Sequence, residues 1–172
     1  MEENEPRTWT LTQPTARRRE WQLRQGAEPR ASLRIPMFRS GAQAETPDGE
    51  IRIERRGRIR SGYAVVDGTT GRELARLEPD GRRRVLKLDG LTAEWKRLGH
   101  KQGFGFEGSA GQPLVSARVR SGLIRSSGEV KINAGLDERQ AILAALLACY
   151  LLIRRNEEAA AGAAGSTAAV AS

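Results

Sequence analysis

The chain has 172 residues, enough for one ordinary domain with a real core and too short for two comfortable ones. With 38% hydrophobic and 29% charged residues, 19 glycines and 7 prolines, its composition excludes collagen-like and grossly disordered chains and suits a globular protein with many turns. The net charge of +8 comes from 25 arginines against 4 lysines, and such a surface attracts phosphate-bearing polyanions, because the guanidinium fork grips phosphate with two prongs. Arginine enrichment by codon usage alone would leave the same charge on an idle surface.

The N-terminus, MEENEPRTWT, is acidic and lacks the basic and apolar regions of a secretory signal. Residues 1–6 are expected to be disordered and the location cytoplasmic, at most peripheral to a membrane. From Arg7 to Asn133 short stretches of alternating apolar and polar residues are separated by glycine-containing turns, a strand pattern. The clearest are IRIE (51–54), GYAVVD (62–67), VLKLD (85–89), GFGFE (103–107), LVSARV (114–119) and EVKIN (129–133). Pro47-Asp48-Gly49, Asp67-Gly68, Pro79-Asp80-Gly81, Asp89-Gly90 and Ser109-Ala110-Gly111 punctuate them as turns. Weaker segments at 7–13, 19–25, 30–35, 40–46, 72–78 and 92–98 raise the number to about twelve. Strands joined by such short turns must be antiparallel neighbours, so a meander is predicted.

Two stretches 40 residues apart, VDGTTGRELARL (66–77) and FEGSAGQPLVSA (106–117), share an acidic residue, a glycine, two small residues, a second glycine and a leucine entering a strand. GEIRI (49–53) and GEVKI (128–132) are a second such pair. They read either as an internal repeat or as hairpins of one type.

After Asn133 the period changes. Asp137 and Gln140 form a capping box for a helix over 137–155, whose C-terminal end Arg154 and Arg155 suit electrostatically. Residues 156–172 are low in complexity, rich in alanine and glycine, and are expected to be a disordered tail. The helix contains the longest apolar run of the chain, AILAALLACYLLI (141–153). Thirteen residues rise only about 20 Å, short of the roughly 30 Å of hydrocarbon in a bilayer. Charged flanks, Asp137 to Arg139 and Arg154 to Asn156, prevent any extension, yet no face of the run is polar. A helix apolar all round is buried, and strands bury it completely by closing around it. The expected fold is therefore mainly β, an antiparallel closed barrel of about twelve strands around one C-terminal hydrophobic helix. Ala141, Ala144, Ala145 and Ala148 would let the wall approach, while Leu143, Leu146, Leu147, Leu151 and Leu152 fill the remaining space.

This arrangement, with an N-terminal tryptophan strand, a dozen strands with D-G turns and the ending LDERQAILAALLACYLLIRR (136–155), resembles the tubby C-terminal-like superfamily, which includes tubby, the phospholipid scramblases and the LURP-one-related proteins. The resemblance covers residues 7–155 and rests on architecture. It implies a twelve-stranded barrel around a central helix, and binding of phosphoinositides or membranes. The calcium-binding acidic segment and the cysteine cluster of scramblases have no counterpart here, which argues against scramblase activity.

Catalytic chemistry has little to stand on, and no enzyme is expected. The single histidine, His100, lies in the turn KRLGHKQG, and no nucleophile elbow is present. Cys149 lies in the buried run and reads as an inert small hydrophobe. Zinc-ligand spacing, a phosphate loop and a dinucleotide fingerprint are missing, so neither metal nor cofactor is expected. What remains is arginine in clusters: Arg17, Arg18 and Arg19; Arg55, Arg56, Arg58 and Arg60; Arg82, Arg83 and Arg84. Borne on turns at a common barrel rim, they could converge on anionic lipid headgroups or another phosphate-bearing ligand. Nucleic acid is the alternative partner for the same arginines, and a purely structural or protein-interaction domain the third reading. Solvated charges that keep strand edges from pairing would look the same in sequence. Trp9, Trp21, Tyr63, Trp95, Phe104 and Phe106 read as wall or core packing rather than as a platform for bases.

Overall fold

A computed structural model of the chain describes residues 5–15, 18–37, 39–58, 62–99, 103–121 and 125–168, the side chains of 121 and 164–168 apart. Twelve strands run in chain order: β1 (Arg7–Thr12), β2 (Glu20–Gln25), β3 (Glu28–Arg34), β4 (Ala42–Thr46), β5 (Gly49–Arg56), β6 (Gly62–Asp67), β7 (Glu73–Asp80), β8 (Arg83–Leu88), β9 (Leu91–Arg97), β10 (Phe104–Gly108), β11 (Pro113–Ser121) and β12 (Ser126–Ile132). Each pairs antiparallel with its neighbours in sequence, and β1 pairs with β12 from Arg7 opposite Ile132 to Thr12 opposite Ser127, which closes the barrel. A single helix, α1 (Glu138–Ala168), follows. The strands and the closed architecture are those the alternation of the sequence predicts.

Closure follows from the pattern of burial. On β1 Trp9 and Leu11 are buried, on β2 Trp21 and Leu23, on β5 Ile51 and Ile53, on β8 Leu86 and Leu88, and on β12 Val130 and Ile132; all pack in one cluster with the helix. These alternate positions face the lumen because strand side chains switch sides with a period of two. Every residue from Ala141 to Ile153 is buried, so the apolar run is enclosed on all sides of its axis. The capping box forms: the Asp137 carboxylate accepts from the Gln140 N–H at 2.8 Å, and the Gln140 side-chain oxygen accepts from the Asp137 N–H at 3.3 Å. Glu138 in the first turn receives the guanidinium groups of Arg7 at 2.7 Å and Arg30 at 3.2 Å, which ties the start of α1 to β1 and β3.

The helix does not end near Arg155. It continues to Ala168 through a segment expected to be a tail. Alanine has the highest helical propensity of any residue, and a run already propagating from a packed core needs no new nucleus, so the alanines outweigh Gly162 and Gly165. With 31 residues, α1 is about 46 Å long and stands out of one end of the barrel.

That end also carries the connections β1–β2, β3–β4, β5–β6, β7–β8, β9–β10 and β11–β12, and is called the mouth below. The opposite end has tight turns, and there the paired stretches 40 residues apart share two features, although the first turn closes between Asp67 and Arg72 and the second, one residue shorter, between Gly108 and Gln112. Gly71 and Gly111 both take a left-handed φ, 71° and 80°, that other residues avoid. The ladders β6–β7 and β10–β11 each carry a register shift next to these turns, between Val65 and Val66 and between Phe106 and Glu107. In the first turn Asp67 accepts hydrogen bonds from the backbone N–H groups of Thr69 and Thr70 at 2.9 and 2.7 Å. Those bonds, Thr70 foremost, hold its carboxyl below the usual carboxylate range.

Candidate basic cleft at the barrel mouth

The helix lies off-centre in the barrel. Its backbone packs most closely against β11, with β10, β3, β4 and β12 also near, and lies further from β1, β2 and β5 to β9. On the side it leaves open, the mouth widens into a cleft of about 470 Å³ lined by Ser40, Arg55, Tyr63, Arg82, Arg84, Trp95, Lys96, Phe104, Tyr150, Leu151, Arg154, Arg155 and Glu158. This volume lies within the roughly 300–1,000 Å³ of pockets that take small molecules. Six side chains of the lining are basic and one is acidic.

Strand alternation places the wall residues. The lumen-facing row of β5 runs Ile51, Ile53, Arg55, and that of β8 runs Leu88, Leu86, Arg84. The aliphatic rows thus end in arginine as they reach the mouth. On β6, Tyr63 continues the row of Val65 and lies opposite Arg55 in register; on β9, Trp95 continues that of Ala93. Trp95 packs against Phe106 at 5.1 Å between ring centroids and stacks on Phe104 at 6.0 Å with 28° between planes. Tyr150 of α1 meets Tyr63 edge-on at 5.4 Å, and its hydroxyl oxygen accepts from the Gly41 N–H at 3.2 Å, which pins the helix to the β3–β4 connection. Burial raises the Tyr150 hydroxyl above its ordinary range, with the nearby Tyr63 adding to the effect.

The cations of the cleft differ in how they are held. The Arg155 guanidinium lies 4.1 Å from the centroid of the Phe104 ring. Arg154 pairs with Glu157 at 3.4 Å, and Lys96 with Glu107 at 2.8 Å, a contact that raises the lysine's pKa and keeps it charged. Arg55, Arg82 and Arg84 make no ion pair among the described residues. Four guanidinium groups without an ionic partner among the described residues, those of Arg55, Arg82, Arg84 and Arg155, beside the paired Arg154 and Lys96 make a positive field directed into the cleft.

The arginine clusters of the sequence therefore split. Arg55, Arg82 and Arg84 meet in the cleft. Their neighbours Arg56 and Arg83 have the opposite parity, lie on the outer wall and pair there with Glu54 at 3.2 Å and Glu94 at 3.9 Å. Arg19 donates through Nε to the Ile35 carbonyl at 3.0 Å and pairs with Glu157, so it braces the emerging helix. Arg18 and Arg58 are exposed at the same end without joining the cleft. Arg17, Arg60 and His100 lie outside the described residues. Lys96, Arg154, Arg155 and the four aromatic residues of the lining were not singled out as site residues by sequence. Parity along β9 and β10 would have marked Trp95 and Phe104 as lumen-facing at the mouth, whereas Arg154 and Arg155 depend on how α1 is rotated inside the barrel.

The thiol of Cys149 is fully buried, and burial pushes its pKa up to about 12, so it has no nucleophilic character in the native protein. Among the described residues no three His, Cys, Asp or Glu side chains come together as metal ligands, and no helix is long and apolar enough to cross a membrane. Compared with protein-family models, with curated proteins and with solved structures, the chain finds no significant match.

Proposed function

We propose that this barrel is a binding module without catalytic chemistry of its own, and that it takes a phosphate-bearing ligand in the cleft at its mouth. The observation that carries this reading is the convergence of Arg55, Arg82 and Arg84, none with an ionic partner among the described residues, on one cleft shared with Arg154 and Arg155. Like charges held close together repel, and a phosphate group relieves the repulsion while offering each planar fork its two oxygens. Aspartate or glutamate pairing would have neutralised an idle surface, as it does on the outer wall around Arg52, Arg56 and Arg76.

Membership of the tubby-like superfamily, proposed from the strand order and the central helix, would make an anionic lipid headgroup the source of the phosphate and a cytoplasmic membrane surface the place of action. Nucleic acid is the other source. Equilibrium binding of inorganic pyrophosphate, of phosphoinositide-containing vesicles and of duplex DNA, each at several salt concentrations, tests the reading. Pyrophosphate binding that weakens at least tenfold in the double variant Arg55→Ala, Arg84→Ala is the expected result. Absence of binding to all three would leave a structural or protein-interaction role instead.

A further inference from the structure

We infer that the ligand of the cleft is a nucleoside phosphate whose base carries an exocyclic amino group. This rests on the reading of the mouth as a phosphate site and adds the chemistry of the rest of the molecule. Three features of the lining go beyond what a phosphate alone would need.

The first is the aromatic share of the wall. Trp95, Phe104 and Tyr63 are only half-buried and stand among the arginines. A phosphate has no flat apolar face for them, whereas a nucleobase stacks on such rings. The second is the contact of Arg155 with Phe104, where a planar cation already lies 4.1 Å above a ring face in this cleft. A base is a planar group of similar thickness, and it can extend that stack or take the place of the guanidinium, because arginine stacks on bases as it does on rings.

The third is Glu158, the one carboxylate of the lining, exposed among six cations. A site for anions alone is weakened by it, through repulsion of the ligand. A base bearing amino hydrogens uses it as an acceptor. Adenine, guanine and cytosine offer such hydrogens on exocyclic amines, and an inorganic phosphate offers none.

The shape of the mouth agrees with a discrete ligand. From Glu158 to Ala168 the helix continues for about 15 Å along its axis past the cleft, a projection beside which a discrete ligand fits more readily than a flat bilayer surface.

The experiment compares ADP, pyrophosphate and a short single-stranded oligonucleotide with a 5′-phosphate by calorimetry on the full chain, alongside quenching of tryptophan fluorescence. Trp9 and Trp21 are buried in the core, so a stacking ligand reaches Trp95 alone of the three tryptophans. ADP is expected to bind about tenfold or more tightly than pyrophosphate and to quench the emission, which pyrophosphate does not. In Trp95→Leu the affinity for ADP falls about tenfold more than that for pyrophosphate. Glu158→Ala strengthens pyrophosphate binding and weakens that of ADP. Equal affinities for ADP and pyrophosphate, or a Glu158→Ala gain shared by both, would overturn the nucleoside assignment and leave the phosphate site standing. Binding of neither removes the phosphate reading and the inference with it. Tighter binding of the oligonucleotide than of ADP assigns the nucleoside phosphate to a nucleic-acid end, and weaker binding to a free nucleotide.

Discussion

Arg55 and Arg56 are joined by one peptide bond and end on opposite sides of the barrel wall, one in the cleft and one against Glu54. Substituting them separately is the sharpest test of the site at the level of single residues. Arg55→Ala should reduce pyrophosphate affinity about tenfold, the size expected when a charge-assisted hydrogen bond is lost. Arg56→Ala should leave affinity within about a factor of two, since it removes an exposed ion pair of small value. Loss in both variants would refute the parity argument. That parity was present in the sequence: Ile51, Ile53 and Arg55 keep one alternation, and Leu88, Leu86 and Arg84 another, so grouping arginines by proximity along the chain concealed it. Cys149 gives a second prediction at this scale. Its thiol titrates near 9 when free and near 12 in the native barrel. A group whose native pKa is raised stabilises the fold fully below its unfolded value and loses that contribution as pH climbs toward the native one. Between pH 9 and about 12 the unfolded chain releases a proton that the native state keeps. Stability should fall there by roughly 1.4 kcal/mol per pH unit from this thiol. Urea unfolding at successive alkaline pH values measures the slope, and Cys149→Ala should flatten it while the contribution of Tyr150 persists.

Among the elements, α1 sets both the core and the cleft. Its buried stretch was legible because it combines a length too short for a bilayer with the absence of any polar face, and a twelve-strand meander offers a single place for such a segment. Leu147 has no exposed surface and lies in the middle of this stretch. Leu147→Asp would bury a carboxylate among hydrocarbon groups and should prevent folding, whereas Leu147→Met should cost less than about 1.5 kcal/mol. Far-ultraviolet circular dichroism and solubility report the outcome, and a folded aspartate variant would exclude the helix from the core. The far end of α1 was not legible. Composition alone does not separate an alanine-rich tail from an alanine-rich helix; the difference is whether a packed segment nucleates it, and here Arg19 and Arg154 also hold Glu157 just past the wall. The rotation of α1 about its axis, which brings Arg154 and Arg155 to the cleft, was equally hidden, because a helix apolar on every side carries no stripe to show which side faces which strand.

For the whole molecule, the closed ladder means that no strand among the described residues is left with an unpaired edge, and the basic cleft is assembled jointly by wall and helix. Its cations come from β5, the β7–β8 connection, β8, β9 and α1, positions about a hundred residues apart at the extremes. The unfolded chain scatters them, and they form a site once the helix is seated. Ligand binding is then linked to the folding equilibrium itself: a compound that recognises the assembled mouth and ignores the unfolded chain adds about 2.7 kcal/mol to stability at one hundred times its Kd. A thermal melt followed by tryptophan emission should show a rise in Tm with nucleoside phosphates, and none in the double variant Arg55→Ala, Arg84→Ala. The off-centre seat of α1 thereby makes the barrel its own reporter, since a molecule that bridges helix and wall clamps the plug in place and can be found by heating the protein in its presence.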